Sequence, residues 1–270
     1  MIVSAPSTAP EALLKSGQLR DALLALTGQV RSRPADAPLR VFLFQLLALT
    51  GEWERAENQL KVAGELDAQN APMVAAYAFA LRGERERERV FAGSREPAME
   101  GELSPWQALL TQALQRACDG DPQQAAQLRE QAFAQAEAVS GTIDGVGFEW
   151  IADADSRIGP CLELIMKDGY RWAPFSHISE LRFEAPSDLR DKIWTPVQIT
   201  WASGGSAVGF VPTRYSGTER GGDSDLTLAR RTDWTDSGHE GFVGSGQRMF
   251  VTDAGEYPLL DVRTITFNKR

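Results

Sequence analysis

One internal repeat constrains this chain more than any other feature. Gly17-Gln18-Leu19-Arg20-Asp21-Ala22 and Gly51-Glu52-Trp53-Glu54-Arg55-Ala56 align at a spacing of 34 residues, and Leu26 maps onto Leu60 and Pro38 onto Pro72 at the same offset. Glycine lets the backbone reverse between two antiparallel helices, and the small alanine lets them approach closely. No single helix pair covers its own apolar face, so the pairs must stack.

This period and spacing are those of tetratricopeptide repeats. The pattern then degrades. Gly83 stands near the next expected turn, followed by Glu84-Arg85-Glu86-Arg87-Glu88-Arg89, which reads as a solvated helix face with no strong internal gain. Gly120 and Ala125 restore the spacing about two periods after Gly51. Ser104-Pro105 starts one helix through Ala117, and Pro122 starts another to about Val139. Residues 1–140 are thus expected to form six or seven helices in irregular tetratricopeptide-like pairs. Such a stack presents a concave surface suited to a partner's peptide or helix. Leu19, Trp53 and Trp106 are candidate partner-binding anchors if exposed. The plainer role for these side chains is helix packing, with the groove filled by the chain's own second half or by a second copy.

The character changes at Trp150-Ile151-Ala152-Asp153-Ala154-Asp155-Ser156-Arg157-Ile158-Gly159-Pro160, whose Gly-Pro pair cannot continue a helix. Beyond it, Cys161–Met166 and Tyr170–Ala173 flank Lys167-Asp168-Gly169, a hairpin signal. Ile178–Glu184 alternates, Ser187–Asp191 is a polar turn, and Trp194–Trp201 turns at Ser203–Ser206 into Ala207–Val211. Arg248–Val251 and Leu259–Phe267 read as a final hairpin-like pair, and Ser216–Asp225 as an exposed loop. The fold expected is α+β: a helical domain over 1–140, then a β-rich domain over 141–270 as an antiparallel sheet or partial barrel.

The net charge of −9 is spread evenly, −4 over residues 1–140 and −5 over 141–270, so neither half reads as a polybasic nucleic-acid or membrane-surface module. The N-terminus lacks the basic and apolar regions of a secretory signal, and the apolar run Val41–Leu49 is too short to span a bilayer. Two isolated cysteines, Cys118 and Cys161, fit a reducing compartment, so the cytoplasm is expected. His177 and His239 are the only histidines and have no ligand spacing, so neither a metal nor a cofactor is expected. Asp153, Asp155 and Arg157, with Trp150, form a candidate interdomain seam. The carboxylates there would cap a turn, with Arg157 tying the halves together through ion pairs. The alternative is a hydrolase or ligand-binding site centred on Asp153, Asp155, Arg157 and His177, which acid–base chemistry would require to lie in a dry cleft. Arg230 and Arg231 beside Trp234 form one more candidate for an acidic partner.

The ordering of these features, with Trp172-Ala-Pro-Phe175, Asp188-Leu-Arg-Asp191, Trp194, Pro212-Thr-Arg-Tyr215, Arg230-Arg-Thr-Asp-Trp234 and Gly246-Gln-Arg248, resembles the ImpE/TagJ (SciE) family over nearly the whole chain. The resemblance implies a non-enzymatic accessory protein of bacterial type VI secretion. It implies association with the N-terminal helix of the small sheath subunit, and through it with the unfoldase that disassembles the sheath. A structural homodimer is the remaining alternative, and the sequence leaves the oligomeric state open.

Overall fold

The computed structural model describes residues 9–238 and 241–268. Its first half is helical: α1 (Pro10–Lys15), α2 (Leu19–Ser32), α3 (Ala37–Leu49), α4 (Trp53–Leu66), α5 (Ala71–Phe91), α6 (Pro105–Cys118) and α7 (Pro122–Gln135). Local chemistry sets the ends. Asp36 caps α3 by accepting from Leu39 N at 3.1 Å, Ser104 and Gln107 form a reciprocal box on α6, and Asp121 accepts from Gln124 N at 3.0 Å on α7. Gly17, Gly51 and Gly120 adopt φ of 78°, 75° and 83° at three inter-helix turns. The repeat is therefore real in three dimensions. Its equivalent positions Leu19 and Trp53, Ala22 and Ala56, and Leu26 and Leu60 are all buried.

Gly83 corrects the expected pattern. It lies inside α5, not at a turn, and a Cβ there would sit 2.5 Å from Ile165 Cγ2. The missing side chain is what lets α5 press onto the sheet.

The strands are β1 (Ala98–Met99), β2 (Gly141–Ile143), β3 (Val146–Phe148), β4 (Ile151–Asp153), β5 (Cys161–Met166), β6 (Gly169–Pro174) and β7 (Ile178–Phe183). They continue with β8 (Trp194–Trp201), β9 (Ser206–Pro212), β10 (Thr232–Asp236), β11 (Phe242–Gly246), β12 (Met249–Thr252), β13 (Gly255–Pro258) and β14 (Thr264–Phe267), and one short helix, α8 (Ser224–Thr227), precedes β10. Nine strands form an open sheet in the order β1-β6-β5-β9-β8-β7-β14-β2-β3, not closed into a barrel. All its pairings are antiparallel except that of β1 with β6. The β5–β6 and β8–β9 hairpins fall where the sequence placed them. The expected terminal hairpin does not. β12 pairs with β13, while β14 leaves to join β7 and β2. Ser216–Asp225 is also more structured than a loop, since Thr218 is buried and α8 begins at Ser224.

Both faces of the sheet are covered, and strand alternation divides the side chains between two cores. On β5, Cys161 and Ile165 face the helices together with Trp172, Trp194, Phe210, Phe44, Leu46 and Tyr77. Leu162 and Leu164 face the other core with Ile143, Phe175, Ile199, Phe250 and Ile265. The helix-side core is aromatic: Trp194 lies 6.5 Å from Phe44, 5.6 Å from Tyr77 and 6.3 Å from Trp53 between ring centroids. Each such side chain contributes roughly 1.5–3 kcal/mol by leaving water. Among the described residues, no helix is long and apolar enough to cross a membrane.

Candidate functional site

Glu163 sits at the centre of β5, on the face turned to the helices, and is fully buried. Its partners come from α5, from β6 and from the segment just before β12. Arg87 of α5 donates from Nε to Oε1 at 2.6 Å and from Nη2 to Oε2 at 3.2 Å. Tyr170 OH donates to Oε1 at 2.5 Å, and Arg248 donates to Oε2. Arg248, itself fully buried, also pairs with Asp153 and donates from Nε to Pro212 O at 2.9 Å. Glu84, one turn before Arg87, accepts from Trp194 Nε1 at 3.0 Å and from Arg87 at 3.3 Å. Arg214 donates from Nη1 to Leu49 O and to Thr227 O, both at 2.8 Å, so one cation serves the C-terminal carbonyls of α3 and α8.

This arrangement corrects the reading of Glu84–Arg89 as a solvated face, because Glu84 and Arg87 are buried against the sheet. Burial pushes the Glu163 carboxyl up, but Arg87 and Arg248 outweigh it and hold the group at about 2. Burial dominates at Asp153 and raises it to about 7, with Arg248 opposing and Asp155 reinforcing the rise. Asp155 is also fully buried and fully engaged. It accepts from Arg157 N and Nε at 2.9 Å, from Arg157 Nη2 at 2.6 Å and from Gly244 N at 3.0 Å. The carboxylates at 153 and 155 are thus bonded into the interior and not directed into an open cleft. Arg157 pairs within the strand half and reaches the helical half by lying 4.8 Å from the centroid of Phe91. The buried ion pair between the halves is that of Arg87 and Glu163, and the more exposed pairs Arg171–Glu100 and Arg220–Glu88 also cross between them. His177 is engaged elsewhere, with Nδ1 at 2.8 Å from Glu100 O, and His239 lies outside the described residues. Among the described residues, no three His, Cys, Asp or Glu side chains are placed to hold a metal ion.

The remaining candidate residues disperse. Leu19 and Trp53 are buried in the helix-side core, and Trp106 is half-buried against it. The face of the repeats that carries Phe44, Trp53 and Tyr77 is filled by Trp194 and Phe210 of the sheet. Trp150 is exposed beside a cleft of about 360 Å³ between the end of α7 and β4. Arg230 donates to Lys15 O at 2.8 Å and to Asp225 at 2.9 Å; Arg231 pairs with Asp223 at 2.8 Å and with Asp233. Trp234 is partly exposed, with its ring 5.5 Å from Tyr215.

The open surface of the repeats lies on the opposite side of α3. Leu43, Phe44, Leu46 and Leu47 face the core, while Leu39, Val41 and Phe42 are only half-buried and line a cleft of about 550 Å³ with Pro38, Glu11 and Asp67. A helix apolar on all sides calls for cover on all sides. Here the outer side has only part of it. The signal was present in the sequence as the run Val41–Leu49, too continuous for an ordinary amphipathic helix.

Known proteins agree with this architecture. Residues 145–266 match the ImpE protein family, and residues 13–78 match the tetratricopeptide repeat. The type VI secretion system accessory component TagJ of Pseudomonas aeruginosa is 51% identical over 257 residues, covering 95% of this chain and 90% of that protein. The crystal structure of protein VPA1032 from Vibrio parahaemolyticus superposes with a TM-score of 0.89 at 25% identity, covering 97% of this chain and 98% of that one. With 51% identity to TagJ over nearly the full length and a match to the ImpE family over residues 145–266, the chain belongs to the ImpE/TagJ family.

Proposed function

We propose that this protein is a non-enzymatic accessory adaptor of a type VI secretion system, acting in the cytoplasm. It grips an amphipathic helix at the N-terminus of the small sheath subunit and so modulates sheath assembly and disassembly, with the unfoldase engaged indirectly. The TagJ relative supports the secretion role by its name. The observation that carries the docking role is the half-covered outer face of α3, where Leu39, Val41 and Phe42 offer an apolar floor rimmed by Glu11 and Asp67. That geometry suits a helix presenting apolar side chains at i, i+3 and i+4 with cations beside them. It replaces a groove built on Leu19 and Trp53, whose side chains hold the fold together. The rigid junction around Glu163 has a supporting role: it locks α5 to the sheet so that the repeats present one fixed surface.

Calorimetric titration with a peptide of the cognate sheath subunit's N-terminal helix tests this reading. Saturable binding that a scrambled peptide does not reproduce supports the adaptor. No heat with the peptide and none with the whole subunit refutes it.

A further inference from the structure

A third cleft, of about 420 Å³, opens where three segments remote in sequence meet: the end of α1 (Leu14, Lys15), the turn at 186–192 (with Leu189, Lys192 and Asp188, the last paired with Arg190), and Leu228–Arg230. We infer that this cleft is a binding site for a small organic anion, a phosphate or carboxylate carried on an apolar body.

The charge inventory points there. The chain has 23 arginines and only five lysines, and two of the five, Lys15 and Lys192, line this one cleft. The neighbouring arginines are all engaged: Arg190 with Asp188, Arg230 with Asp225, and Arg231 with Asp223. Among the described residues, neither lysine lies within ion-pair distance of a carboxylate, unlike Lys61, which faces Glu65. For Lys15, exposed at the rim, that is ordinary. Lys192 is half-buried, and burial lowers its pKa, with Asp191 and Asp261 opposing the fall and Arg230 reinforcing it. A partly desolvated ammonium without a direct counter-charge is stabilised by an anion that enters beside it. Leu14, Pro186, Leu189 and Leu228 supply the apolar wall for the remainder of the ligand.

The third cation is held in place by the fold. Arg230 Nη2 donates to Lys15 O, and Arg230 N bonds to Asp225 O at 2.9 Å. The preceding Ala229 is fixed at φ 51° and its carbonyl accepts from Gln247 Nε2 at 3.0 Å. Because both terminal nitrogens of Arg230 already have acceptors, this guanidinium contributes field and wall, and the ammonium groups make the direct contacts. The small cleft and the net charge of −9 both favour a compact anion over a polyanionic chain, which the rest of the surface repels.

The test uses the full chain with two anionic probes, naphthyl phosphate and naphthalene carboxylate, and naphthalene methanol as the neutral control. Saturable binding of at least one anion, weakened tenfold or more in Lys192→Met and in Lys15→Met, is expected. The neutral probe should not saturate. Unchanged melting temperatures in the variants establish that folding is intact. Lys15 is exposed, so Lys15→Met remains informative if Lys192→Met perturbs the fold. The relative strength of the two anions separates phosphate from carboxylate as the preferred head group. The inference is overturned if neither anion binds saturably at millimolar concentration. It is equally overturned if both lysine variants bind as wild type does.

Discussion

Replacing Glu163 with glutamine would expose how much of the fold rests on one buried charge. The side chain is fully buried and accepts four hydrogen bonds, two from Arg87, one from Tyr170 and one from Arg248. Glutamine keeps the shape but removes the charge and turns an NH₂ group toward a guanidinium. Arg87 and Arg248 then face each other across a site with no carboxylate between them, although Arg248 retains Asp153 and Arg87 retains Glu84. Breaking one member of a buried ion pair costs about 3–5 kcal/mol. Against a total stability of about 5–15 kcal/mol, that is a large fraction. For a chain of this length each kcal/mol lowers the melting temperature by about 2–4 °C, so a fall of roughly 6–20 °C is expected. Urea unfolding followed by tryptophan fluorescence reads the same loss of stability, because Trp172 and Trp194 lie in the core beside the junction. The midpoint should fall with the slope unchanged. Breaking the exposed pair Arg182–Glu180 by Arg182→Gln should cost under about 1 kcal/mol in the same assay. If Glu163→Gln costs no more than the surface change, the junction does not lock the two halves and the reasoning fails.

Two further outcomes follow from the same contacts. Gly83→Ala places a methyl 2.5 Å from Ile165 Cγ2 and should destabilise by about 1–3 kcal/mol, although alanine is the better helix former; a gain in urea midpoint would contradict the close approach of α5 to β5. The pH dependence has two limbs of opposite sign. Glu163, lowered from 4.5 to about 2, gives stability that is fully present above pH 4.5 and is lost as pH falls toward 2, about 3 kcal/mol in all. Asp153, raised from 3.8 to about 7, holds its proton longer in the fold than in the unfolded chain, so its contribution declines as pH rises through that window. Urea midpoints at a series of pH values should show the second decline flattened in Asp153→Asn, and a wild-type-like slope in that variant would refute the assignment.

How much of this was legible depends on sequence distance. The 34-residue repeat, the helix starts at Ser104-Pro105 and Pro122, and the hairpins β5–β6 and β8–β9 are local, and each is written in a few adjacent residues. The hairpin β2–β3 was equally readable, since its turn is Asp144-Gly145 with both residues at positive φ, but its strands of three residues are too short to show alternation. The charged junction was not legible, because Glu163 lies 76 residues from Arg87 and 85 from Arg248. One trace existed in α5. Ala80, Gly83, Arg87 and Val90 share a helical stripe and are all buried, so the core face runs straight through the charged run that seemed solvated. Alternating signs obscured that stripe: Arg85 and Arg89 make a uniformly polar hexad of a segment whose two inward members, Glu84 and Arg87, meet Trp194 and Glu163. The destination of β14 was hidden for a different reason. Its partners β7 and β2 lie far back in the chain, while β12 and β13 are near neighbours.

Docking on the outer face of α3 is tested most directly by titrating the sheath-subunit helix peptide into wild type, Phe42→Asp and Val41→Lys, with melting curves on each. Phe42 and Val41 line the open side of α3 and are half-buried, so a charge there should disrupt docking more than folding. Saturable binding to wild type, at least tenfold weaker in both variants, is expected, with cooperative unfolding retained. Wild-type affinity in both folded variants would contradict docking on that face, and so would a peptide that does not bind at all.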